Sequence, residues 1–267
     1  MTVAIIGAGV MGETLLSGLI RGGFAPADLV VGEKRPERAA ELREKYGVEV
    51  VERLSELAHA DTVTLVVKPQ DMGEVLAEIA PHVSAGQLVV SLAAGITTDY
   101  IERHLGEGIA VVRVMPNTPA LVDEGMAAIS PGSHCDEEHL VRAEQLLATT
   151  GRVVRVPEKQ QDAVTAISGS GPAYLFFVVE AMIEAGVHLG LPRSTATELV
   201  VQTVVGSAKL LRETGEHPTV LRERVTSPGG TTAAAVRELE NHRVRAAFSA
   251  AMEAARDRSI ALASSDD

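Results

Sequence analysis

The sequence reads as an α/β fold, with a parallel sheet and crossover helices over residues 1–157 followed by an all-helical domain over 158–267. Three observations carry that reading. Short β-branched runs alternate with helical patterns in the first part, a glycine-rich turn follows the first run, and strand signals stop after about Pro157. Strands separated by helices of this length call for right-handed crossovers, and therefore for a parallel sheet.

Taken in order, strands are expected at 3–6, 29–31, 62–67, 88–91 and 110–114, where Val and Ile runs are bounded by turn residues. Helical patterns over 12–21, 36–46, 72–79 and 98–105 lie between them. Further strands at 126–129 and 153–156 flank a helix over 137–147. Beyond that point, Pro192 suits the first turn of a helix, after a Gly-Leu stop signal. The stretch 195–211 is apolar on more than one side, which places it inside a helical domain or between subunits. Val244, Phe248, Ala251, Met252 and Ala255 form one stripe at helical spacing, a core or interface face.

Composition bounds the function. The 267 residues are 46% hydrophobic and 22% charged, a globular balance with room for one large or two ordinary domains. There is no Trp, so Ala, Val, Leu and Ile must build the core. The net charge is −12 without clustered Lys or Arg, which argues against a nucleic-acid footprint. Cys135 is the single cysteine; it cannot close an intramolecular disulfide, no zinc-type spacing surrounds it, and it reads as a small, partly buried side chain. No basic leader is visible, and the longest apolar run, near 173–179, is too short to span a bilayer. A cytoplasmic enzyme without membrane contact is expected.

Gly7-Ala8-Gly9-Val10-Met11-Gly12 follows the first strand and opens the first helix. Gly7 permits the tight turn, Gly9 lets backbone approach a pyrophosphate, and Gly12 lets helix pack on strand. At the start of a βαβ unit, this is the pattern of a Rossmann-type dinucleotide-binding domain. Choice of cofactor depends on Glu33-Lys34-Arg35, after the second strand. Lys34 and Arg35 suit the extra phosphate of NADP, Glu33 suits the ribose of NAD, and each also reads as a solvated charge. The pair of cations favours NADP, with NAD left open. Val67, Lys68 and Pro69 close another strand on the ligand-binding rim, where Lys68 reads equally as a salt-bridge partner. Ser91-Leu92-Ala93-Ala94-Gly95 and Met115-Pro116-Asn117-Thr118-Pro119 lie on comparable rims, either framing a nicotinamide or serving as turns.

Two segments of the helical part are too specific for a bundle alone. Ser168-Gly169-Ser170-Gly171-Pro172 leads into an apolar helix and permits close backbone approach. Val225-Thr226-Ser227-Pro228-Gly229-Gly230-Thr231-Thr232 feeds another helix, where unpaired N–H groups make an anion pocket. A simple N-cap is the expected role of one of the two threonines.

The ordered set GAGVMG, VVKP, SLAAGI, MPNTP, SGSGPAY and VTSPGGTT resembles the pyrroline-5-carboxylate reductase family, over essentially the whole chain. The last motif, with His217-Pro218 and Leu221 before it, is close to a signature of that family. The resemblance implies reduction of 1-pyrroline-5-carboxylate to L-proline by NAD(P)H, the last step of proline biosynthesis. It implies a Rossmann-type domain followed by an all-helical dimerisation domain that interleaves with a partner subunit, dimers that commonly build decamers, and an active site between cofactor domain and helical dimer domain. By motif, Ile6, Gly7, Ala8, Gly9, Val10, Met11 and Gly12 hold the pyrophosphate, with Val67, Lys68, Pro69 and Ala94 near the nicotinamide. Gly230, Thr231 and Thr232 hold the substrate, and Glu216 is the nearest match to a Glu that contributes in some relatives. Where the family has small polar residues after the second strand, this chain has Glu33-Lys34-Arg35.

Reduction of a cyclic imine needs a held hydride donor, a hydrogen-bond donor at nitrogen and a carboxylate anchor. The amides of Gly230 and Thr231 are assigned to the carboxylate and the Thr232 hydroxyl to the nitrogen, as a polarising group rather than an acid in its own right. No histidine or carboxylate dyad competes, since His59, His82, His104, His188 and His242 read as solvated or core residues, and Asp123 and Glu124 adjoin no nucleophile. A β-hydroxyacid dehydrogenase would need a lysine on the first long helix of the second domain; Lys159 precedes it and Lys209 is far along the chain. A non-catalytic NADP-sensing module would leave VTSPGGTT without a task.

Overall fold

The computed structural model describes residues 1–57 and 59–263; the last four residues of the expected helical domain lie outside that range. Among the described residues, one sheet has the strand order β3-β2-β1-β4-β5-β6-β7-β8. Its strands are β1 (Val3–Ile6), β2 (Leu29–Gly32), β3 (Glu49–Val51), β4 (Thr62–Leu65), β5 (Leu88–Ser91), β6 (Ala110–Met115), β7 (Gly125–Pro131) and β8 (Gly151–Arg155). Strands β1 to β6 pair in parallel, which requires a crossover between each strand and the next. The order reverses at β1, with β2 on one side and β4 on the other, which opens a crevice at the carboxyl ends of those strands.

The crossovers are α1 (Val10–Arg21), α2 (Pro36–Tyr46), α3 (Met72–Ile79) and α4 (Thr98–Leu105), and α5 (Glu137–Leu147) joins β7 to β8. Alternate residues of β1 divide the core between two faces. Val3 and Ile5 pack with Leu15, Leu16 and Leu19 of α1 and with Ala39 and Leu42 of α2. Ala4 and Ile6 pack with Met72, Leu76 and Ile79 of α3 and with Ile101 and Leu105 of α4. Burying each such Leu or Ile contributes roughly 1.5–3 kcal/mol, so aliphatic residues suffice where Trp is lacking.

The sheet departs from the all-parallel expectation at one pairing. β7 pairs antiparallel with β6, and β8 then runs parallel to β7. Residue periodicity marks a strand but carries no sign of its direction. The edge strand β3 is unforeseen, because three residues beginning with an exposed Glu49 give no period to read. β4 ends at Leu65 rather than 67, as the chain turns toward the one-turn helix Pro69–Asp71.

The helical part comprises α6 (Gln161–Val164), α7 (Gly171–His188), α8 (Arg193–Thr214), α9 (Pro218–Arg224), α10 (Thr231–Asn241) and α11 (Val244–Ala263). Packing divides the chain into residues 1–170 with 255–267, and residues 171–254. That break falls later than the change of element type at 157/158, because 158–170 are tied to the sheet. Gln161 Nε2 donates to the Ala128 carbonyl at 3.2 Å, and Asn117 Nδ2 donates to the Ser168 carbonyl at 3.2 Å. Ser168 and Gly169 are not a loop: Thr165–Gly169 is a π-helical turn between α6 and α7.

Within 171–254, α7 and α8 approach closely, and a Cβ at Gly186 would come 3.0 Å from that of Ala196. Of its described residues only Ala196 and Val200 are buried. Phe176 and Phe177 of α7 are 68% and 73% exposed, and Phe248 of the expected α11 stripe is exposed too. The helical run 158–188 is long and apolar enough to cross a membrane by length and composition alone, but only 6% of its most apolar window is buried within the single chain. A bare apolar surface of this kind marks an interface.

Candidate active site

Two of the three glycines are constrained by neighbouring backbone. Gly7 has φ +100°, and a Cβ there would meet the Val66 carbonyl oxygen at 2.7 Å. A Cβ on Gly12 would collide with the Gly7 carbonyl oxygen. Gly9 faces open space, with nothing within 4 Å of the position its Cβ would take. It is also the N-cap of α1 and supplies no side-chain cap. The first helical bond runs from the Glu13 amide to the Gly9 carbonyl at 2.9 Å, so the amides of Val10, Met11 and Gly12 precede the ladder. An uncapped helix N-terminus reached over a bare glycine fits the diphosphate of a dinucleotide.

Arg38, which sequence reasoning missed, braces this loop from α2. Its Nε donates to the Ala8 carbonyl at 3.3 Å, and its guanidinium pairs with Glu13. Lys45 and Tyr46 also bond Glu13, at 2.9 and 2.8 Å. Led by Lys45, these donors outweigh partial burial and bring the Glu13 carboxyl down to about 2. The available signal was position, since Arg38 lies one turn into the helix that follows the cofactor-selecting residues.

A cavity of about 350 Å³ runs along the ends of β1, β2 and β4, lined by Ile6, Gly7, Glu33, Lys34 and Val67 among others. The cations at its rim are engaged. Arg35 takes both oxygens of Glu33 at 3.0 Å, and these bonds hold the Glu33 carboxyl below its usual range. Lys34 Nζ lies 3.3 Å from Glu74 and 3.6 Å from Glu78, both of α3, and the bond to Glu74 raises its pKa. Lys68 has no ion pair among the described residues, against the salt-bridge alternative.

Pro69 and Ala94 line a second cavity, of about 440 Å³. The loop that carries Ala94 is clamped at α4, where Glu158 accepts from the Thr98 amide and hydroxyl at 2.8 and 2.7 Å. Arg113, buried on β6, donates to the same carboxylate at 3.3 Å. Asn117 fixes the neighbouring rim, with its Oδ1 accepting from the Met126 amide at 2.8 Å. Close approach at Gly169 is to Met115, whose methyl group occupies the place of a Cβ. Cys135 donates to the Val111 carbonyl at 3.0 Å and burial pushes its thiol pKa up, so it is inert packing. Among the described residues, no three His, Cys, Asp or Glu converge as a metal site.

The second motif lies in unit 171–254. Gly229 has φ +69° and the Gly230 amide donates to the Ser227 carbonyl at 3.0 Å, closing the turn. Gly230 is the N-cap of α10 without a side-chain cap, which corrects the expectation that a threonine caps this helix. Thr231 and Thr232 form its first turn instead, and their hydroxyls have no partner among the described residues. Their amides precede the bond from Ala234 to the Gly230 carbonyl at 3.2 Å. Glu216 is paired with Arg224 at 2.6 Å.

A switch-point crevice, a glycine loop feeding a bare helix N-terminus and an apolar helical unit define a dinucleotide-dependent oxidoreductase that self-associates. Residues 2–95 match the model described as NADP oxidoreductase, coenzyme F420-dependent, and residues 158–262 match pyrroline-5-carboxylate reductase dimerisation. The chain belongs to the pyrroline-5-carboxylate reductase family. It is 49% identical to the Corynebacterium melassecola pyrroline-5-carboxylate reductase, covering 98% of each chain. It is 40% identical to that of Escherichia coli K12, again over 98% of each. The solved structure of a Coxiella burnetii pyrroline-5-carboxylate reductase superposes with a TM-score of 0.93 at 38% identity, covering 97% of both chains. The Plasmodium falciparum enzyme, solved with NADP bound, gives 0.86 at 30% identity over 98% of both.

Proposed function

We propose that this protein reduces 1-pyrroline-5-carboxylate to L-proline with NADPH, the closing step of proline biosynthesis, in the cytoplasm. The observation that carries the reading is the joint presence of two uncapped helix N-termini, each reached through a Gly turn, one behind the first strand and one at Gly230. On this reading the dinucleotide domain spans 1–157 and the dimerisation and substrate domain 158–267.

The amides of Val10, Met11 and Gly12 hold the diphosphate, Ile6, Gly7, Ala8 and Gly9 shape its turn, and Val67, Lys68, Pro69 and Ala94 hold the nicotinamide end. NADPH supplies the hydride when bound. Lys34 and Arg35 are offered to the 2′-phosphate, and each must then be shared with its carboxylate, Glu74 or Glu33. The Gly230 and Thr231 amides hold the substrate carboxylate. The Thr232 hydroxyl donates to the ring nitrogen, where negative charge develops as the hydride reaches carbon, and water supplies the proton that the nitrogen takes up. Glu216, anchored by Arg224, borders this loop in the proposal without touching the reacting atoms. Dimers assemble further, up to the decamer implied by the resemblance.

The test is oxidation of NADPH and NADH by the purified protein with pyrroline-5-carboxylate, followed by absorbance and by proline formation. Proline formed faster with NADPH supports the reading. Absence of turnover from a folded protein that still binds NADPH overturns it.

A further inference from the structure

We propose that Glu158 is a positioning residue for hydride transfer, because the clamp it forms on Thr98 sets the place of the Ala94-Gly95 loop. That loop is fixed at its start by β5, where the Leu92 amide donates to the Leu65 carbonyl at 2.9 Å. Ala93 and Ile96 are buried, Gly95 turns the chain at φ +80°, and Ala94 is left exposed between them. The other end of the loop is the N-terminus of α4, where Thr97 caps the helix by accepting from the Tyr100 amide at 3.1 Å. The first helical amide, that of Thr98, then has no intrahelical partner. Glu158 takes this amide and the Thr98 hydroxyl together, one carboxylate oxygen for each. The aligned peptide dipoles favour a carboxylate at that end of a helix.

The clamp comes from sixty residues further along the chain and is itself held. Arg113, whose side chain is 8% exposed, lies 3.3 Å from Glu158 Oε1. Three residues on, Gln161 is wholly buried and donates to the Ala128 carbonyl and the Ser130 hydroxyl. Glu158 thus belongs to the segment that carries Thr165 and Ser170, and its bonds join that segment to the one that carries Ala94 and Gly95. Both segments line the 440 Å³ cavity, within the unit of residues 1–170 and 255–267, so the carboxylate fixes their separation. Glu158 is not in the lining itself and acts through Thr98 and the loop.

This inference rests on the proposed function, in which Pro69 and Ala94 meet the nicotinamide end. Hydride transfer needs the nicotinamide at a near-attack distance from the imine carbon, and a misplacement of about 1 Å costs on the order of a hundredfold in rate. The diphosphate contacts lie on a different loop, at the start of α1. Loosening the clamp therefore slows the chemical step more than it weakens cofactor binding.

Thr98→Val and Glu158→Gln in the full chain test this. Thr98→Val keeps the β-branched shape and removes only the hydroxyl bond, leaving the pair of Glu158 with Arg113. Three quantities are measured: the single-turnover rate of NADPH oxidation by pyrroline-5-carboxylate, the isotope effect with NADPH deuterated at the transferred position, and NADPH Kd by fluorescence titration. The expected result is a roughly tenfold to hundredfold slower single turnover, an isotope effect on kcat larger than that of wild type, and little change in NADPH Kd. An unchanged rate and isotope effect in variants that melt with wild type overturn the inference, as does a loss confined to NADPH affinity. Should Glu158→Gln fail to fold, because buried Arg113 loses its partner, Thr98→Val carries the test alone. Failure of wild type to reduce pyrroline-5-carboxylate would overturn the functional reading alone. The emission maximum of bound NADPH, which reports the surroundings of the nicotinamide, would still decide the clamp: shifted in Thr98→Val if the clamp sets the loop, unchanged if it does not.

Discussion

Thr232 sits in the first turn of α10, its hydroxyl without a partner among the described residues, so its removal tests chemistry more than architecture. Thr232→Val keeps the β-branched shape and is expected to lower kcat tenfold to a thousandfold, the scale of one lost transition-state donor. Steady-state rates alongside a thermal melt check this, and an unaltered kcat in a normally melting variant would remove the assignment. Much at the residue scale was legible. Gly7 and Gly12 are required by backbone geometry that any such turn imposes, whereas a Cβ on Gly9 would meet nothing in the protein. The commitments of the cations were not legible. Lys34 finds Glu74 and Glu78 on the next crossover but one, forty or so residues away, and no local pattern announces the pair. The threonine capping role failed for a similar reason, since Gly230 itself occupies the cap once Ser227 takes its amide.

Helices α1 and α2 are coupled through Glu13, which gathers Arg38, Lys45 and Tyr46 of α2. Because the folded-state pKa is depressed from 4.5 to about 2, the resulting stability is present in full above the unfolded value and lost as pH falls toward about 2. Glu13→Gln is therefore expected to destabilise at pH 6 by on the order of 1 kcal/mol after solvent screening. The gap to wild type should narrow at pH 3, as urea denaturation at the two pH values would show; a constant gap would assign the effect to packing. At this scale, elements long enough to repeat a period were legible from the sequence, whereas β3 and the direction of β7 were not. The π turn also escaped, because Ser168-Gly169-Ser170 has the composition of a loop and is held helical by contacts such as that from Asn117.

The whole molecule presents Leu175, Phe176 and Phe177 to solvent along one helix, an arrangement a single chain has no means to cover. Self-association through the domain matched to dimerisation would cover them with a second copy. Stability should accordingly rise with protein concentration. Phe177→Glu, measured by light scattering, should yield smaller species that melt at a lower temperature, and a retained oligomer of wild-type mass would place the interface elsewhere. The division into a sheet part and a helical part was legible because element type changes near 157. The packing break was not, since it depends on which face residues 158–170 adhere to.

The sheet itself has two open borders. On one side β3 offers three residues led by an exposed Glu49, and on the other β8 carries Arg152 and an Arg155 held by Glu137 and Glu144 of α5. A border this short or this charged is a poor template for another strand. Growth of the assembly by strand addition is thereby discouraged, and copies are steered to join through their helices.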